Sequence, residues 1–199
     1  MKKNIGIVSM ILVASLALSA CSTNDSTSTK DNSQPVSSSR PAVSSSTERP
    51  TSQELQRVGS DDYGYIDIPK NWLRFTDVDS GDSIQYTDGS GYNIVTLNGY
   101  TREKANLNAD EAFTAETMAN RIASVWHEHP EVEEIWGDMR EVAGHEAFQV
   151  NVMLKSKQQL VTWVFKKDER IYMIAYEGSK ESLEQFTPYI EKTWKASKE

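Results

Sequence analysis

Two histidines, His127 and His129, stand two residues apart in Trp126-His-Glu-His-Pro130, with Glu128, Glu131, Glu133 and Glu134 around them. Imidazole nitrogens and carboxylates are the donors of a transition-metal site, so chemistry is sought here first. The spacing argues against it. On a helix, side chains two apart point about 200° apart and cannot grip one ion together. Metal-binding helices set their histidines four apart, as in His-Glu-x-x-His, a pattern this chain lacks. A solvated helix end, where imidazole complements the dipole, accounts for the run instead. Asp77-Val-Asp-Ser-Gly-Asp82 begins like a calcium loop and reaches a carboxylate at Asp88. Its glycine comes one position early and Asp replaces the bidentate Glu, so an acidic surface turn is expected. Gly89-Ser-Gly91 is a hairpin tip without the frame of a nucleophile elbow. His145 follows Gly144 and is expected to be a turn residue, not a general base. No glycine-rich phosphate loop or Walker-type lysine occurs. No catalytic residue, metal site or cofactor is expected.

The single cysteine, Cys21, can form neither an intrachain disulfide nor a Cys-based zinc site. It follows an apolar stretch, Ile5 to Leu18, that Lys2 and Lys3 precede. A short basic start, a brief apolar run and small residues make the layout of a secretory signal peptide. Leu18-Ser19-Ala20-Cys21 resembles the bacterial lipobox. The resemblance implies cleavage before Cys21 and transfer of a diacylglyceryl group to its thiol, whose thiolate is a strong nucleophile. Two acyl chains hold a protein on a bilayer stably, whereas one does so only marginally. Residues 1–20 are thus expected to be a signal peptide and Cys21 the lipid attachment site. The mature protein would be a lipoprotein on the extracytoplasmic face of the cell membrane.

Residues 22–57 contain eleven Ser, five Thr and three Pro, with only Val36, Val43 and Leu55 as sizeable aliphatics. Too little apolar surface is available to offset ordering entropy, so residues 21–57 are expected to be a lipidated, disordered tether. Such a coil spans roughly 30–35 Å, on the scale of about 5–6 Å times the square root of length. All 18 aromatic residues lie between Tyr63 and Trp194, which places the folded domain at residues 58–199. That domain holds 15 basic against 25 acidic residues. Its acidity argues against nucleic acid as a partner, because phosphate binding needs Lys and Arg to displace counterions.

Within it, Tyr63 to Pro69 alternates as a strand, with Gly64, Ile66 and Ile68 on one face, and Pro69 to Trp72 turns the chain. Ser83–Thr87 and Tyr92–Leu97 flank the Asp88–Gly91 hairpin. Asn108 with Glu111 three residues on reads as a capping box opening a helix that Pro130 stops. Four strands, Glu133–Val142, Ala147–Leu154, Leu160–Lys166 and Ile171–Tyr176, form an antiparallel meander. Ser179 caps a last helix to about Lys195, with Pro188 expected to kink it or loosen one turn. An α+β domain follows, an antiparallel sheet flanked by helices. Of the five tryptophans, 72, 126, 136, 163 and 194, most are expected between sheet and helices. Core packing is also the expectation for Trp136. Its alternation with Glu134 and Asp138 would otherwise require a bulge or an edge strand, where an exposed ring becomes a contact site.

Tyr65-Ile-Asp-Ile-Pro-Lys-Asn-Trp72, Val142-Ala-Gly-His-Glu-Ala-Phe148 and Phe186-Thr-Pro-Tyr-Ile-Glu-Lys-Thr-Trp194 resemble the opening strand, central hairpin and terminal helix of PsbP-like domains. The resemblance implies a binding or assembly-accessory protein without a shared catalytic set. The function expected is that of a non-enzymatic lipoprotein binding an envelope protein partner in an accessory, assembly or protective role. The alternative is a small-ligand-binding lipoprotein with a pocket between sheet and helix. A hydrolase would require a cleft where His145 or a Glu with a perturbed pKa lies beside a nucleophile.

Overall fold

The structure, a computed structural model, describes residues 54–76 and 82–199. Cys21, the signal peptide and most of the tether lie outside the described residues, as do positions 77–81 of the acidic turn. The elements run β1 (Leu55–Ser60), β2 (Gly64–Pro69), β3 (Leu73–Arg74), β4 (Ile84–Thr87), β5 (Ile94–Tyr100) and α1 (Ala115–His127). Then come β6 (Val132–Val142), β7 (His145–Leu154), β8 (Gln159–Lys167), β9 (Arg170–Gly178) and α2 (Lys180–Thr193). Seven strands form one antiparallel sheet, β3-β4-β5-β9-β8-β7-β6, and β1 pairs with β2 in a separate hairpin. The class is α+β, and the four-strand meander β6 to β9 stands as its alternation predicts.

Strands β8 and β9 are apolar on both sides. Val161, Trp163 and Phe165 of β8 join one core with Tyr172, Ile174 and Tyr176 of β9. Leu160, Val164, Ile171 and Met173 join the other. Each face needs a cover, because apolar area left in water forfeits roughly 25 cal/mol per Å². The first receives α2 and the β1–β2 hairpin, through Phe186, Ile190, Ile66 and Ile68. The second receives α1, through Met118, Ala119 and Trp126. Trp194 anchors the first cover. Its indole meets Phe165 and Tyr172 with ring centroids 4.7 and 4.8 Å away, and it packs so closely on Gly64 that a Cβ there would collide with it.

Three local expectations are corrected. Strand β1 begins at Leu55, inside the stretch that composition assigns to the tether. Pairing draws it in: Leu55 lies opposite Pro69, Gln56 Nε2 donates to the Trp72 carbonyl at 2.7 Å, and Arg57 Nη1 donates to Asp67 and to the Thr193 carbonyl. Only the Glu111 half of the capping box at Asn108 forms, and it opens no helix. The Asn108 N–H donates to the Glu111 carboxylate at 2.9 Å, and Arg121 Nη2 donates to the same oxygen at 2.6 Å, tying the segment back onto α1. The Asn108 bond and the Arg121 guanidinium together hold the Glu111 carboxyl below its usual value. The helix starts instead at Ala115, where the Thr114 side chain accepts from Thr117 N–H. At the other end, α2 keeps its Ser179 cap and continues through Pro188, but stops at Thr193. Lys195 then exchanges two backbone hydrogen bonds with Tyr65, of 2.7 and 2.9 Å.

Two substitutions probe this scheme by denaturant unfolding. Trp163→Ala empties a fully buried site and is expected to cost about 3–5 kcal/mol. Thr114→Ala removes only the α1 cap and should cost about 1 kcal/mol.

Candidate functional site

Four tryptophans enter the cores, with Trp163 and Trp194 the most deeply buried. Trp136 does not, which overturns its expected core placement: it is 39% exposed. Strand β6 is the sheet's edge, and its register shifts between Val132 and Glu134. The edge position is the one of the two alternatives, bulge or edge strand, that accounts for its acidic alternation.

Helix α1 lies over β7 and β8 and leaves a groove of about 870 Å³ beside β6. The helical wall presents Ala119, Asn120, Ala123, Ser124 and His127, one stripe of α1. The floor is Ile135, Gly137 and Met139 of β6 with Phe148 and Val150 of β7. Small residues make the groove. Ala119, Ala123 and Ser124 project little, and a Cβ added at Gly137 would meet only the Gln149 carbonyl, at 3.8 Å. Met139 stands opposite Phe148 and is half exposed. Trp136 stands opposite Asn151, whose Nδ2 donates to the Trp136 carbonyl at 3.5 Å. Strand alternation places these two large side chains on opposite faces of β6. An aromatic ring and a thioether thus flank an edge strand from either side.

The surroundings are acidic. From Glu128 to Val142 there are six carboxylates and one arginine. Lys157 Nζ meets Glu133 at 2.6 Å, and Arg140 Nη2 lies 3.4 Å from Asp138.

The residues singled out for chemistry are scattered and engaged elsewhere. His127 lines the groove, whereas the His129 Nδ1 accepts from Glu131 N–H at 3.3 Å and its ring lies against Trp126. His145 opens β7 with its ring against both Phe165 and Trp194, centroids 6.0 and 5.6 Å away, so it is a strand residue that packs on the aromatic group rather than a turn residue. Ser90 Oγ donates to Asp88 and accepts from the N–H groups of Tyr92 and Asn93, which fixes the hairpin tip. Asp82, the described end of the acidic turn, lies 3.9 Å from Lys104 Nζ. Burial pushes the Glu177 carboxyl up, but its cross-strand neighbours are Ile94 and Leu160. Among the described residues, no three His, Cys, Asp or Glu side chains converge to hold a metal ion. Sequence reasoning passed over Met139 and the small groove residues. The available signal was Trp136 and Met139 at opposite parity in one acidic strand.

No protein-family model matches the chain, and no curated protein matches it. Among solved structures it is similar to cyanobacterial PsbP (CyanoP) from Synechocystis sp. PCC 6803, at 11% identity and a TM-score of 0.48, over 68% of this chain and 86% of that one. It is also similar to PA94 of Pseudomonas aeruginosa, a protein of unknown function, at 12% identity and a TM-score of 0.32, over 67% and 89%.

Exposure of the indoles is directly measurable. Trp136→Phe should remove most of the acrylamide-quenchable tryptophan fluorescence and change stability by no more than about 0.5 kcal/mol, as for an ordinary surface site.

Proposed function

We propose that this protein is a lipid-anchored, non-enzymatic accessory protein of the cell envelope whose PsbP-like domain binds a protein partner at β6 and the adjoining groove. The observation that carries the reading is the open apolar groove with Trp136 and Met139 on either side of an edge strand. Exposed aromatic and methionine side chains are the groups enriched where proteins meet. The PsbP-like assignment is supported by the motifs at 65–72, 142–148 and 186–194. The anchor is supported by Leu18-Ser19-Ala20-Cys21 after a basic and apolar start. The non-enzymatic role is supported by the use of His129, His145 and Ser90 in local packing and turns.

Small-ligand binding is the second reading. The groove favours it by lying between sheet and helix, with Asn120, Ser124 and His127 as polar groups on an apolar wall.

Cys21→Ser should move the protein from the membrane fraction to the soluble fraction while its domain stays folded. Continued membrane attachment after signal cleavage would remove the lipid anchor from the proposal. A photocrosslinking residue at position 136 in intact cells should join one envelope protein that the same residue at exposed Val125, elsewhere on α1, does not. Equal yields from both positions would sink the partner reading. A small molecule retained in native mass spectra, and lost on filling the groove with Ala123→Phe, would establish the second.

A further inference from the structure

We propose that β6 takes its partner by strand addition, and that the incoming segment is an extended chain alternating basic and apolar residues. The inference deepens the partner-binding reading and rests on it. Exposed sheet edges are normally guarded by shortness, Pro, charged side chains (Lys above all) or bulges, because unpaired N–H and C=O groups are a template for another strand. The opposite edge of this sheet obeys, since β3 has two residues. Strand β6 has eleven, with neither Pro nor Lys among them, and its register shift leaves Ile135 to Val142 regular.

Charge selects the occupant. Strand β6 carries Glu133, Glu134, Asp138 and Glu141 against Arg140. A second copy of this edge would oppose carboxylate to carboxylate across the new ladder, which is destabilising. Residues 22–53 of the chain itself are balanced in charge and interrupted by Pro35, Pro41 and Pro50, and proline cannot donate to a ladder. A basic strand meets neither obstacle. On the face that Glu134, Trp136, Asp138 and Arg140 share, Arg140 already lies 3.4 Å from Asp138, and a lysine stem covers the indole while its ammonium reaches Glu134. On the other face, alternate apolar side chains lie beside Met139 and fill the space that Gly137 and Ala123 leave.

The probe is a peptide of alternating Lys and Val, offered to the full mature chain. It should slow amide hydrogen exchange across Ile135–Val142 and bind at least about tenfold more tightly than an alternating Glu and Val peptide. N-methylation of alternate peptide amides should cost at least about tenfold, because it removes main-chain donors that strand addition requires. The double substitution Glu134→Lys and Asp138→Lys should reverse the preference between peptides. No binding, protection outside β6, indifference to N-methylation or equal affinity for both peptides would overturn the proposal. Protection, without peptide, of the β6 amides that face away from β7 would overturn it too, assigning the edge to a second copy or to residues 22–53. Crosslinking from position 136 reads partner binding separately, so strand addition can fail while that reading stands.

Discussion

Burial of β8 and β9 on both faces is the constraint from which the rest of the domain follows. Two adjacent strands with large apolar side chains up and down cannot end a sheet or face water, so they occupy its middle and require two covers. Helix α2 with the β1–β2 hairpin supplies one and α1 the other. The covers are unequal. The first is built from a helix, a hairpin and a dense group of aromatic rings. The second is one helix of 13 residues over β7 and β8, with Ala105, Leu107 and Phe113 before it. That narrower cover exposes the outermost strand and creates the groove.

The meander, both helices and the hairpin at Asp88–Gly91 were legible in the sequence, because each rests on local periodicity or turn chemistry. Strand β1 was not. Leu55, Gln56 and Arg57 sit in polar surroundings, and only pairing with β2 and contact with Thr193 make them part of the fold. Asn108 and Glu111 misled for a related reason. They make one hydrogen bond of a capping box, but Arg121, ten residues beyond Glu111, takes the same carboxylate and the chain does not continue as a helix. Tertiary partners outvoted local preference in both cases. The site was half legible. Trp136 among carboxylates left an edge strand open as the lesser reading beside core packing, whereas a groove made by Ala119, Ala123 and Gly137 follows from what is missing between two elements, which no window of sequence contains.

On the proposed partner-binding reading, the acidic strand and the apolar floor of the groove would divide the labour of recognition. Carboxylates along β6 act at a distance and depend on ionic strength, since a Debye length is about 8 Å at physiological salt. The apolar floor acts only at contact and is indifferent to salt. A partner drawn by the first and retained by the second would associate faster at low ionic strength while its dissociation changed little.

The paired backbone bonds between Tyr65 and Lys195 carry a consequence for how the polypeptide acquires its shape. Strand β2 is fastened by a residue that comes about 130 positions later, and β5 pairs with β9 across a separation of about 80. Contacts so distant along the chain make closure slow, because loop entropy is spent before they form. A chain emerging end first can complete the β6–β9 meander early, yet its opening hairpin lacks its α2 partners until Trp194 and Lys195 arrive. Topology itself thus delays the native state until the last turn of α2 is in place.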